Sequence, residues 1–241
     1  MAMTLGGSMG KTSTVVTAMV ACLMFGVTVT GCSGDAATDE RSAWQSLDDA
    51  HRTMESLTSV TIEAETTRTD GERSTSVLRT DLKSTCTFRS SSESGAALEQ
   101  IRIKETDYIR PNRAYLDQWA GRETPSGAEQ DRWIKKTSSD SVPGDGLSDC
   151  TWPFAAFGKV KEGGPAEVDG RPALALVVTD AEDKGGTYTF HVATEGKPYL
   201  LKVDYKGTDL RTTTTFSDFG KPLKVEPPAD DELLDLRGVG G

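Results

Sequence analysis

The chain has 241 residues, enough for one domain of ordinary size or two small ones. Hydrophobic residues at 36% together with 24 glycines fall in the globular range, which excludes a wholly disordered chain. Lys11 is the single charged residue before Asp35, so the 26 remaining basic residues face 37 acidic ones, and a body of that sign repels phosphate backbones and argues against nucleic acid as a partner.

The chain opens with an apolar run. No charged residue occurs over 12–31, and 15–27 is apolar enough to enter a translocon, with Lys11 as the positive flank of a secretory signal. Such a run could also span a bilayer. Threonines and a glycine dilute it, however, no basic cluster follows, and it ends in Val29-Thr30-Gly31-Cys32. This tetrapeptide resembles the lipobox of bacterial lipoproteins, which implies diacylglyceryl transfer to the Cys32 thiol and cleavage between Gly31 and Cys32. The expectation is a removed signal over 1–31, a small and polar tether over 32–39, and one domain over 40–236 held at the extracytoplasmic face of the cell membrane. Residues 237–241, rich in glycine, read as a frayed tail.

Of four cysteines, Cys22 leaves with the signal and Cys32 takes the lipid, so Cys86 and Cys150 remain. Two thiols in an exported body more often form a disulfide than stay free, and a metal would need more ligands than these two and two scattered histidines supply.

Within the body, Trp44, Leu47, His51, Met54 and Leu57 recur at steps of three and four, which predicts an amphipathic helix over 39–57. Val60, Ile62 and Ala64 alternate with polar residues, and Asp70-Gly71 turns this strand into a second one over 74–82. Further strands are expected over 85–90, over 98–105 with Leu98, Ile101 and Ile103 as its apolar members, and over 107–110. Tyr115, Leu116 and Trp119 have helical spacing, 132–136 reads as a short strand, and 138–149 is a polar loop. Trp152, Phe154 and Phe157 then concentrate three aromatics in six residues. From 167 the alternation is clearest: Leu174, Leu176 and Val178; Tyr188, Phe190 and Val192; Tyr199, Leu201, Val203 and Tyr205; Thr212, Thr214 and Phe216. Four sequential strands with short polar turns make an up-and-down sheet with one apolar face that needs a cover.

The lipobox, the first helix leading into a Thr/Glu-rich hairpin, Tyr108-Ile109-Arg110, 131–135, Val168-Asp169-Gly170-Arg171, 215–222 and Val225-Glu226-Pro227-Pro228 together resemble actinobacterial envelope lipoproteins of the LppX/LprG family, related in fold to the LolA and LolB carriers. The resemblance covers most of 40–236. It implies an α+β fold, a strongly curved antiparallel sheet forming a half-open β-barrel, with helices capping its concave face. It also implies acyl chains of lipids held between sheet and helices. The modest hydrophobicity of the strands points to a modest cavity, and Trp119, Trp152, Phe154, Phe157, Tyr188, Phe190, Leu201 and Val203 are its candidate lining. The aromatic group has a second reading as plain helix-on-sheet packing.

Candidate catalytic groups are few. His51 lies among apolar helix residues and reads as core or boundary, and His191 falls on the face opposite Tyr188, Phe190 and Val192. No Gly-x-Ser-x-Gly elbow, phosphate-binding glycine loop or His-Glu-x-x-His helix occurs. Carboxylates are plentiful, and a pair meeting across the sheet stays open as an acid–base site. The expectation is a monomeric, non-enzymatic carrier of a lipid or other hydrophobe, with no cofactor and no metal. The competing reading is a tethered interaction or sensing domain with a filled core that binds a protein partner.

Overall fold

The computed structural model describes residues 42–119, 132–140, 146–183 and 185–234. The expected signal, tether and tail lie outside them, and with them Gly31 and Cys32.

Helix α1 (Ala43–Glu55) starts where the sequence supplies a cap. The Ser42 hydroxyl accepts from the Gln45 amide at 3.2 Å, and the Gln45 side chain accepts from the Ser42 amide at 3.0 Å, a reciprocal box that satisfies two otherwise orphaned donors. The helix therefore begins at 43 and not at 39. Its buried stripe is Leu47, Ala50, His51 and Met54. Trp44, expected on that stripe, is 49% exposed in the first turn.

Among the described residues eleven strands follow: β1 (Val60–Arg68), β2 (Arg73–Thr80), β3 (Thr85–Ser92), β4 (Ala97–Ile103), β5 (Thr106–Pro111), β6 (Ile134–Thr137), β7 (Lys159–Val168), β8 (Arg171–Thr179), β9 (Thr187–Ala193), β10 (Leu200–Lys206) and β11 (Leu210–Ser217). A two-turn helix α2 (Arg113–Trp119) separates β5 from β6. All strands join one curved antiparallel sheet of order β6-β5-β4-β3-β2-β1-β11-β10-β9-β8-β7. Its outer strands β6 and β7 do not pair with each other, so the sheet stays open. Neighbours in the sheet are neighbours in the chain, joined by hairpins except where α2 lies between β5 and β6, and the one exception is β1 with β11, which runs from Thr61 opposite Ser217 to Arg68 opposite Leu210 and seams two meanders together.

Strand β7 is absent from the sequence expectation, which placed no strand between the short one over 132–136 and the first of the four after 167. Gly163, Gly164 and Pro165 hide it, because glycine weakens a strand and proline removes a ladder donor. The strand tolerates them because it lies at the sheet edge, where one row of backbone groups needs no partner, and because a bulge between Glu162 and Gly164 absorbs the irregularity.

One face of the sheet carries the main core: Val60, Ile62, Leu78, Cys86, Leu176, Val178, Phe190, Val192, Leu200 and Phe216 pack with Leu47, Ala50 and Met54 of α1. Helix α1 contacts β7, β9 and β10, while α2 contacts β4. Strand β4 departs from its expected pattern. Leu98, Gln100 and Arg102 are its buried residues, and Ile101 and Ile103 occupy the alternate positions. A smaller cluster of Val168, Ala173, Ala193 and Leu201 forms elsewhere, with Tyr199 stacked on Phe219 beside it. Among the described residues no helix is long and apolar enough to cross a membrane.

Candidate functional site

A cavity of about 500 Å³ opens between α1, the sheet and the extended segment 151–157. Helix α1 contributes His51, β9 contributes Tyr188 and Phe190, β10 contributes Leu200, Val203 and Tyr205, and β11 contributes Thr214 and Phe216. The remaining wall is Trp152, Pro153, Phe154, Ala155 and Phe157. These five come from a stretch with no helix or strand, whereas the sequence had allowed a helix-on-sheet contact here. Trp152, Pro153 and Ala155 are exposed, so the cavity meets solvent on this side.

Aromatic edges build the wall. Phe157 meets Tyr188 edge-on at 5.0 Å and Phe190 at 5.9 Å, and Trp152 stands at 84° to Phe216. Such T-shaped pairs are favoured by ring quadrupoles and hold their rings at fixed angles.

Both ends of the wall segment are clamped. Cys150 is bonded to Cys86 of β3, as the cysteine count led us to expect. Its carbonyl accepts from the buried Thr80 hydroxyl of β2. Just before it, the Ser148 amide donates to Gln100 Oε1 at 2.8 Å, and Gln100 Nε2 donates back to the Ser148 carbonyl at 3.0 Å. Gln100 also donates to Asp107, which receives both a 2.7 Å bond from Arg102 Nε and another from Arg102 Nη2. These hydrogen bonds, donated by Arg102 to Asp107, hold the guanidinium pKa above its ordinary value. At the far end Gly158 has φ +65°, and a Cβ there would stand 2.5 Å from the Thr179 carbonyl, so only glycine lets the chain turn from the wall into β7.

Two polar features touch the cavity. The Tyr188 and Tyr205 hydroxyls both donate to Asp183, at 3.0 and 3.4 Å, in the turn between β8 and β9. Burial, then the bond to Asp183, pushes the Tyr188 phenol up to about 12. His51 is different. It is 5% exposed, packs edge-on against Phe190 at 5.6 Å, and among the described residues neither of its ring nitrogens has a hydrogen-bond partner. Burial brings its pKa down to about 4.

Of the expected lining residues, Trp152, Phe154, Phe157, Tyr188, Phe190 and Val203 meet at this cavity. The side chain of Trp119 lies outside the described residues. Leu201 does not face it: a bulge between Leu200 and Lys202 shifts the alternation, so Leu200 lines the cavity and Leu201 joins the smaller cluster. The sequence reading missed Leu200 for this reason. It also left out His51, Pro153, Ala155, Tyr205, Thr214 and Phe216. Tyr205 and Phe216 stood in the alternation and were legible there; His51 was noticed as a core or boundary residue but not as lining. His191 sits opposite, its Nε2 3.0 Å from Asp204. Among the described residues no group of three or more His, Cys, Asp or Glu is placed to hold a metal ion.

No family model matches the chain, and no curated protein matches it. Among solved structures it is similar to the lipoprotein LppX of Mycobacterium tuberculosis, at 13% identity and a TM-score of 0.48 over 76% of this chain and 98% of that one. It is also similar to LprF from Mycobacterium bovis, at 11% identity and 0.46 over 78% and 97%. A LolA superfamily protein from Nitrosomonas europaea gives 11% identity and 0.28 over 80% and 98%.

Proposed function

We propose that the protein binds or carries a lipid or other hydrophobic molecule in the cavity between α1, the wall segment 151–157 and the sheet, and that it does so tethered through a lipid on Cys32. In this reading α1 and the wall segment cover the concave side of the sheet, and the role is binding without catalysis. The observation that carries it is the cavity itself: about 500 Å³, lined mostly by aromatic and aliphatic side chains and open to solvent. That size and lining suit a ligand site. An acyl chain seated there gains about 0.8 kcal/mol per buried methylene, so eight methylenes contribute about 6 kcal/mol before ordering costs. The alternative of a filled core argues poorly with an open space of this volume.

Native mass spectrometry of the detergent-extracted protein tests both parts. The expected spectrum shows a chain beginning at Cys32 with a covalent lipid, and a second, non-covalent hydrophobic ligand that Val203→Trp displaces from the folded protein. An N-terminus other than Cys32 overturns the anchor. Protein without a bound ligand, or ligand occupancy unchanged in Val203→Trp, overturns the carrier and leaves the partner-binding domain.

A further inference from the structure

Resting on that reading, we propose that the cavity selects an uncharged amphiphile whose hydroxyl group hydrogen-bonds the His51 imidazole, rather than a plain hydrocarbon or an ionised fatty acid. Burying an unpaired hydrogen-bonding group costs about 1–3 kcal/mol, and native proteins rarely leave one unsatisfied without a reason. His51 leaves two, in a ring that forms part of the cavity lining. The tyrosine hydroxyls of the lining are spoken for, since both donate to Asp183. As the ring stands neither nitrogen is exposed to the cavity, and a half-turn about χ2, a broad torsion in histidine, exchanges each nitrogen with a ring carbon and presents a nitrogen to the ligand.

The chemistry of the ring then selects the ligand. A neutral imidazole offers one N–H donor and one bare nitrogen acceptor. A hydroxyl can serve either. An ionised carboxylate can only accept, and it would bring a charge into a lining with no cationic side chain. A hydrocarbon would leave both nitrogens as they are. The hydroxyl could sit at the end of a chain or along it, and both are the same chemistry at His51.

The test is displacement of the neutral fluorophore N-phenyl-1-naphthylamine from the full protein at pH 7.5 by dodecane, 1-dodecanol, 6-dodecanol and dodecanoate. One alcohol is expected to bind about tenfold more tightly than dodecane, and which one it is places the hydroxyl at the chain end or within it. His51→Phe should remove that advantage while keeping dodecane binding, and His51→Gln, which keeps a donor and an acceptor, should restore part of it. The ¹⁵N resonances of the His51 ring should move with the favoured alcohol and stay put with dodecane. Equal affinity for dodecane and both alcohols, an advantage that survives in His51→Phe, or dodecanoate as the tightest ligand overturns this inference alone. Failure of every compound and of the fluorophore to bind overturns the carrier reading with it.

Discussion

The imidazole of His51 gains a proton near 6.5 in the unfolded chain but only near about 4 in the folded one, because burial penalises its charged form more than Asp48 favours it. Between those values the unfolded state binds more protons, so this contribution to stability is complete above pH 6.5 and is lost as the pH falls towards 4. Discounted for water that reaches the open cavity, the loss amounts to about 2 kcal/mol. The lowered carboxylates behave separately: Asp81, where burial is outweighed by hydrogen bonds from the Thr85, Lys83 and Ser84 amides, Asp204, where it is outweighed by those from Lys202, Thr213 and His191, and Asp218, held by Lys221 and Thr61, lose their contributions only below their unfolded value of 3.8. Urea midpoints measured from pH 7.5 to 4 should therefore fall in the wild type and stay nearly level over that window in His51→Phe. A parallel decline in both proteins would assign the acid sensitivity elsewhere. Helical spacing showed that His51 lies on an apolar stripe. That its nitrogens lack partners depends on residues far apart in the chain, such as Phe154 and Phe190, which no local pattern reports.

At the scale of elements, the wall segment is the least regular part of the site and the most firmly tied at its ends. Closing a loop with a sequence separation of 64 contributes about 4 kcal/mol in the chain-entropy account of disulfides. Replacing both cysteines by serine should lower the urea unfolding free energy by about that amount and also weaken fluorophore binding, since Cys150 fixes where Trp152 and Phe154 begin. Full binding in the folded double variant would show that the polar clamp of Thr80, Gln100 and Ser148 suffices. β1, β8 and β9 were legible because Val60 and Ile62, Leu176 and Val178, and Phe190 and Val192 are buried at alternate positions of one face. The failures share a cause: β7 and Leu201 sit at bulges, which break the period of two, and in β4 the sequence signal followed Ile101 and Ile103 while burial followed Gln100 and Arg102. Those two polar residues are buried because Asp107 and Ser148 satisfy them, a compensation visible only across strands and loops.

For the molecule as a whole, the order of the strands separates local from distant work. Ten of the eleven strands can zip with a chain neighbour across a short connection within each meander, but the seam joins partners such as Thr66 and Thr212, 146 residues apart. Closing that span costs about 3 kcal/mol more entropy than closing a five-residue turn, so the seam is expected to form after the rate-limiting step. Phe216→Leu on β11 should then speed unfolding and leave the folding rate within about twofold, while Val178→Ala inside the second meander slows folding. Stopped-flow measurements on both variants check this, and a folding rate for Phe216→Leu that drops in proportion to its lost stability would place the seam in the nucleus. The disulfide acts on the same event. Residues 86 and 150 both lie between the seam partners, so the bridge shortens the path from Thr66 to Thr212 to about 80 residues and reduces the closure cost by about 0.5 kcal/mol. The covalent link that positions one wall of the cavity is thus also a shortcut along the contour of the chain, bringing the two halves of the sheet within easier reach of each other before either is complete.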